Sequence, residues 1–499
     1  MRSRSSMIWR VIAATATVVM IVAFVVAASL YAPATSLVDD VQGQSGLSQT
    51  VGASQMEMYC PARMSLADEG SYGDKEFQTS EGNLSSSARV MAAGSVYRAS
   101  VTGIDGTSSS VDIPSLSDSQ AASLLDMGSK GRSSLISGQA LDVNRGTGVV
   151  GSIVSTATTG DLRGASASTC VSGSMKQSLF ISGTSVGTTQ QLVLANYSST
   201  STSVTISAHG AESGDAIVLS TGGTVTVPAG SEKTVDLSAA APDHKALFLT
   251  LSSTATPVAA VVQSVSMSGL ESRGSDFSTA VEGSSRRSVI PGVSSGDSVD
   301  LLLFSRSPVT VTASWLTRSG KKEIKKVSLT SGKVTSLDAG TAPANAYAIE
   351  VSSSSAVYAE SVVTRTGDDG LSDFAYLPSS TGHRSAAVAL PKGTSGSVEM
   401  ANGSDDAATA TVIVVNPAGS VIGSRKVTLD SMGVRSVSLS DFPSAAAVIV
   451  SSSSELSWGV RVSSSTTSSG TTAVAYLRST PLEPTKMIVR TYEDRSIVR

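Results

Sequence analysis

Three groups of residues return in the same order at a period of about 100, which restricts the chain to a set of small, similar units. The first is a short apolar strand closed by Pro: Tyr59-Cys60-Pro61, Val289-Ile290-Pro291 and Ala389-Leu390-Pro391, with Ile181-Ser182 once in its place. The second is an apolar strand running into serine: Leu249-Thr250-Leu251-Ser252, Ile349-Glu350-Val351-Ser352 and Val448-Ile449-Val450-Ser451. The third reads as a linker: Ser275-Asp276-Phe277, Ser372-Asp373-Phe374-Ala375-Tyr376-Leu377 and Ala473-Val474-Ala475-Tyr476-Leu477. A fainter echo joins Gly160-Asp161-Leu162-Arg163-Gly164 to Gly269-Leu270-Glu271-Ser272-Arg273-Gly274.

Serine is the most frequent residue and only 15% of residues are charged, a bias that on its own suggests disorder. The 40% hydrophobic content argues the other way, because a disordered chain cannot carry so much apolar surface. Short Val/Thr runs such as Leu192-Val193-Leu194, Val204-Thr205-Ile206 and Val225-Thr226-Val227 are separated by Ser/Thr/Gly clusters and the turn Pro228-Ala229-Gly230. That rhythm predicts an all-β chain of tandem immunoglobulin-like β-sandwich repeats behind one N-terminal transmembrane helix. The alternative is a β-propeller with two four-stranded blades per repeat, its ring closed by Met487-Ile488-Val489 against Tyr59-Cys60.

The order expected along the chain is a cytoplasmic basic tail at 1–10, a transmembrane helix or signal anchor at 11–30 and a flexible stalk at 31–55. A divergent sandwich follows at 56–175, then three more at 176–284, 285–384 and 385–490, and a C-terminal tail at 491–499. Within the first repeat, one short helix is expected around Ser119–Met127.

Arg2, Arg4 and Arg10 precede the apolar run Val11–Leu30, and the next Arg or Lys is Arg63. Such a run covers a hydrocarbon core of about 30 Å at about 1.5 Å per residue. The charge bias puts the N-terminus in the cytoplasm and the bulk of a single-pass protein outside the cell membrane. The alternative is a secreted protein, cut as a signal peptide at Val26-Ala27-Ala28 or Ala32-Pro33-Ala34. Export suits the two cysteines, Cys60 and Cys170, as a disulfide contributing about 4–5 kcal/mol on the chain-entropy view.

The anchor, Tyr59-Cys60-Pro61, Leu162-Arg163-Gly164 with Cys170, the strand asparagines Asn196 and Asn416-Pro417, and the turn Val227-Pro228-Ala229-Gly230-Ser231 together resemble an actinobacterial family. It is the domain-of-unknown-function family number 5719. The resemblance covers nearly the whole exported part, and its motifs are structural. It implies an envelope protein of a Gram-positive actinobacterium and carries over no activity. The chain departs from the family pattern after the second cysteine, where Leu179-Phe180 stands in place of a Trp.

Few residues point to chemistry. Gly292-Val293-Ser294-Ser295-Gly296 has the nucleophile-elbow spacing, but a strand rather than a helix is expected after it, at Val299–Phe304. His209 and His244 of the second repeat and His383 of the third are placed in loops or at strand ends, without metal-ligand spacing. Asp368-Asp369 with Asp373, and Asp405-Asp406, read as acidic turns with no calcium-loop pattern. No catalytic, metal or cofactor site is expected.

The dense basic segment, Arg318, Lys321, Lys322, Lys325 and Lys326, reads as a hairpin guarding a sheet edge, or as a contact for anionic polymer. Trp315 reads as a core residue or a sugar-stacking platform. A net charge of −4 gives no footing for nucleic acid. The function expected is a non-enzymatic envelope protein with a structural or adaptor role, its partners being envelope proteins. The alternative is a binding module for wall glycan or anionic wall polymer.

Overall fold

A computed structural model describes residues 47–491 except 53, 68–77, 107–109, 118, 129–130, 368–369, 465–471 and 484–485. The segment expected to span a membrane, 11–30, lies outside the described residues. Among the described residues no helix is long and apolar enough to cross a membrane.

Residues 52–485 form one compact unit. The protein is all-β, and the four repeats are arranged like the blades of a four-bladed propeller. Each repeat contributes two sheets. In the second, Lys176–Ile181, Leu247–Ser253 and Thr202–His209, with the short strands Ala216–Ile217 and Thr224–Val227, build one sheet, while Ser231–Asp236, Thr188–Asn196, Ala259–Ser268 and Glu271–Thr279 build the other. Their apolar positions alternate, and Leu179, Leu194, Ile206, Leu249 and Val262 meet in one core between the two sheets.

The strand that runs into serine is where the chain passes from one sheet to the other. In the second repeat Pro257 lies between the two halves, Leu247–Ser253 and Ala259–Ser268. The third and fourth repeats have serines there and no Pro, and single strands, Ala346–Thr366 and Ala447–Ser464, run through both sheets. Pro removes a ladder donor; serine does not.

The row of modules expected from the sequence closes into a ring, because the outer faces of the sheets are also apolar. Tyr59, Met64 and Leu162 of the first repeat pack on Ala259, Val261 and Phe277 of the second. Phe180 and Phe248 of the second pack on Phe304 and Tyr376 of the third, with Phe248 and Phe304 stacked at 4.0 Å. Val289 and Leu316 of the third meet Ala401 and Val434 of the fourth. Met91 and Val150 of the first meet Ala387, Ala447 and Ile449 of the fourth and shut the ring. Arg89, 3% exposed, crosses that last joint and donates to the Leu390 carbonyl at 2.7 Å.

Three local expectations are corrected. Ala122–Gly128 is a strand, where a short helix was expected at Ser119–Met127; it pairs with Ser85–Ala93 and buries Ala122 against the fourth repeat. Leu47–Gly52, expected in the flexible stalk, is a strand paired with Lys486–Thr491. The tail strand therefore has that partner, while Tyr59-Cys60 pairs with Ser134-Leu135.

Candidate functional site

The segments that read as linkers form the axis of the ring. The last strand of each repeat, Gly164–Thr169, Glu271–Thr279, Ser372–Pro378 and Ala475–Arg478, lies innermost, and two aspartates tie these strands together. Asp276 accepts from the Ala167 amide at 3.0 Å and the Tyr376 amide at 2.8 Å, reaching the first and third repeats from the second. Asp373 accepts from the Ala165 amide at 2.9 Å and the Val474 amide at 2.8 Å, reaching the first and fourth from the third.

Both carboxyls are fully buried. Burial pushes Asp276 well above the usual carboxylate range, and the neighbouring Asp373 adds to that rise. Burial pushes Asp373 up to about 8, against the downward pull of its backbone N–H donors. The repeated Arg-Gly pair explains itself here. A Cβ at Gly164, whose φ is +126°, would lie 2.6 Å from the Asp373 carboxyl carbon, and one at Gly274, φ +110°, would lie 2.3 Å from its Oδ1.

The axis is almost filled between these strands, and it opens beside Arg478 into a cavity of about 270 Å³. Its wall combines Lys176, Arg478, Ser172, Thr480 and Glu282 with apolar Met58 and Val281. Glu282 is held by His383 Nε2 at 3.0 Å and by the Thr381 amide at 2.9 Å. The His383 hydrogen bond and charge, with the Arg478 charge, outweigh its burial and bring the carboxyl down to about 2. Arg478 donates to the Ala280 carbonyl at 3.0 Å. A second, wider cleft of about 540 Å³ lies at the joint of the first and fourth repeats, walled by Arg89, Lys392, Thr394 and Ser440.

The residues singled out from sequence fall as follows. Cys60 and Cys170 form the disulfide, joining the ends of the first and last strands of the first repeat over Gly151. Trp315 is 5% exposed in the third core, which corrects the sugar-stacking option. The basic residues lie on and beside the edge strand Gly320–Leu329, which among the described residues pairs only with Val309–Thr317. Register sets Lys321 opposite Leu316 and Lys326 opposite Thr312, and sets Lys322 opposite Trp315 and Lys325 opposite Ala313, so the lysines divide between two faces. Lys321 pairs with buried Glu350, Lys326 lies 3.8 Å from Glu323, and Arg318 stands over the Tyr347 ring.

The Ser294 turn is a joint between repeats. Asp297 caps it through the Ser294 amide and receives Arg461 of the fourth repeat through two bonds of 2.7 and 2.9 Å, with Arg365 at 3.0 Å. The histidines are not free loop residues. His209 packs on Phe304, His244 pairs with Glu212, and His383 with Glu282. Asp405 pairs with Arg287, and Asp368-Asp369 lie outside the described residues. Among the described residues no group of His, Cys, Asp and Glu is placed to hold a metal ion.

Sequence reasoning missed Arg89, Asp297, Arg461 and the roles of Asp276 and Asp373. The recurrence of Ser-Asp-Phe was the available signal for the aspartates; a buried Asp repeated before an aromatic residue needs donors, and they come from neighbouring repeats.

No curated protein matches the chain. Residues 126–440, more than half of the chain, match the family model described as a family of unknown function, DUF5719, which spans the second and third repeats and parts of the first and fourth. The chain belongs to the family of unknown function DUF5719.

Proposed function

We propose that this chain is a non-enzymatic, membrane-anchored envelope protein whose exported ring is an adaptor for protein–protein interaction at the cell surface. The anchor is 11–30 with the N-terminus in the cytoplasm, or the chain is released after cleavage of that segment. Each blade is read as an immunoglobulin-like pair of sheets. One observation carries the reading: Asp276, Asp373, Glu282 and Asp297 each join one repeat to another, so these acids hold the repeats together as a rigid scaffold, as an adaptor needs. The Cys60–Cys170 disulfide supports an oxidising compartment.

Crosslinking of the tagged full-length protein in cells, with mass spectrometry of the captured material, tests this. Capture of one envelope protein in stoichiometric yield is expected. Recovery of wall polymer with no dominant protein contradicts it and favours the polymer-binding alternative. The basic segment weakens that alternative as first drawn, because its lysines face two ways and two of them have acidic partners.

A further inference from the structure

We propose that the cavity of about 270 Å³ at the mouth of the axis binds a phosphate group, free or as the ester of a small polyol, between Arg478 and Lys176. Its size falls just under the range of about 300–1,000 Å³ typical of drug-sized ligands, which suits a small ester. Two cations enter it from different repeats. Arg478, at the end of the innermost strand of the fourth, offers a planar fork of N–H donors; Lys176, at the start of the second, offers a point charge.

Both have capacity to spare. Among the described residues Arg478 makes one direct hydrogen bond, to the Ala280 carbonyl, and the bonds of exposed Lys176 run through its backbone, to the Ser174 hydroxyl. The Ser172 and Thr480 hydroxyls lie on the same wall. The Arg478 charge acts on Glu282 and on buried Glu360 without a paired carboxylate contact among the described residues, which leaves its fork free for an oxyanion that takes two parallel N–H bonds. The acid on the wall, Glu282, is already occupied by His383, Ser380 and Thr381, so its charge is shared out before a ligand arrives. Apolar Met58, Val281 and Pro481 complete the wall and fit the carbon skeleton of an ester. The inference does not rest on the adaptor reading.

The test is calorimetric titration of the purified full-length chain with inorganic phosphate and, separately, with glycerol 3-phosphate. Saturable binding at one site per chain is expected, weakening as NaCl is raised. Lys176→Gln should weaken it about tenfold, as loss of one charge-assisted contact does, while leaving the melting temperature unchanged. Arg478→Gln should abolish it, and Lys333→Gln, a surface control, should change nothing. Tighter binding of glycerol 3-phosphate identifies an ester, and equal affinity identifies free phosphate; each supports the site. Absence of saturable binding by either probe, or wild-type affinity in a normally melting Lys176→Gln, overturns it.

Discussion

The Asp373 carboxyl meets backbone N–H groups from the first and fourth repeats, and its burial has a measurable consequence. Its pKa stands at about 8 in the folded chain against an ordinary 3.8, so between those values the folded state holds a proton that the unfolded state has lost. The contribution is full below pH 3.8 and is lost as pH rises toward 8. Glu282 has the opposite sign. With a folded value of about 2 against 4.5, it stabilises above pH 4.5 and the benefit fades as pH falls. Melting temperature should therefore fall as pH rises from about 5 to 8, and Asp373→Asn, which keeps a carbonyl acceptor but cannot ionise, should flatten that fall. An equally steep fall in the variant would remove Asp373 from the explanation. Glycine supplies a companion test in denaturant titrations. Gly164→Ala, which strikes the Asp373 carboxyl, should cost about 3 kcal/mol. Gly269→Ala, at φ +61° with nothing within 4 Å, should cost about 1 kcal/mol. Replacing Cys60 and Cys170 together by Ala should cost about 4 kcal/mol in the same measurement. The cysteine pair was legible because export leaves few uses for two cysteines. The Asp373 cradle was not, because besides the adjacent Phe374 amide its donors, Ala165, Ser275 and Val474, lie about 100 or more residues away in three other repeats.

At the scale of the element, the edge strand Gly320–Leu329 shows what its lysines are for. One side of it pairs with Val309–Thr317 and the other has no strand beside it among the described residues, the position where lysine blocks pairing with another chain. Lys321 also neutralises Glu350, which is fully buried, with Arg287 3.6 Å away. Lys321→Ala should destabilise the chain by about 2 kcal/mol by leaving a buried charge short of a partner. Lys322→Ala or Lys325→Ala should stay within about 0.5 kcal/mol. Equal small effects of all three in urea titrations would show that the Lys321 pair is idle. The hairpin itself was legible from Arg318-Ser319-Gly320 between two alternating runs, as was the core placement of Trp315 among Val309, Val311 and Leu316. A helix was expected in place of a strand at Ala122–Gly128, where Leu124-Leu125-Asp126-Met127 fits either period and the partner strand Ser85–Ala93 decides.

For the whole molecule, the period of about 100 showed that similar units repeat, but not whether they stand in a row or close on themselves. Closure depends on the outer faces. Met91 and Val150 look like ordinary strand residues in sequence, and only the arrival of Ala387, Ala447 and Ile449 makes them part of a joint. The same holds for Arg89, whose guanidinium is spent on Asp126 and on the Leu390 carbonyl 301 positions away. Small-angle scattering on residues 52–485 tests the closed ring most directly. A compact body of that length has a radius of gyration of about 22 Å, which is the predicted result. A value of roughly 40 Å, as four modules strung in a row would give, would contradict the ring and with it the axial site.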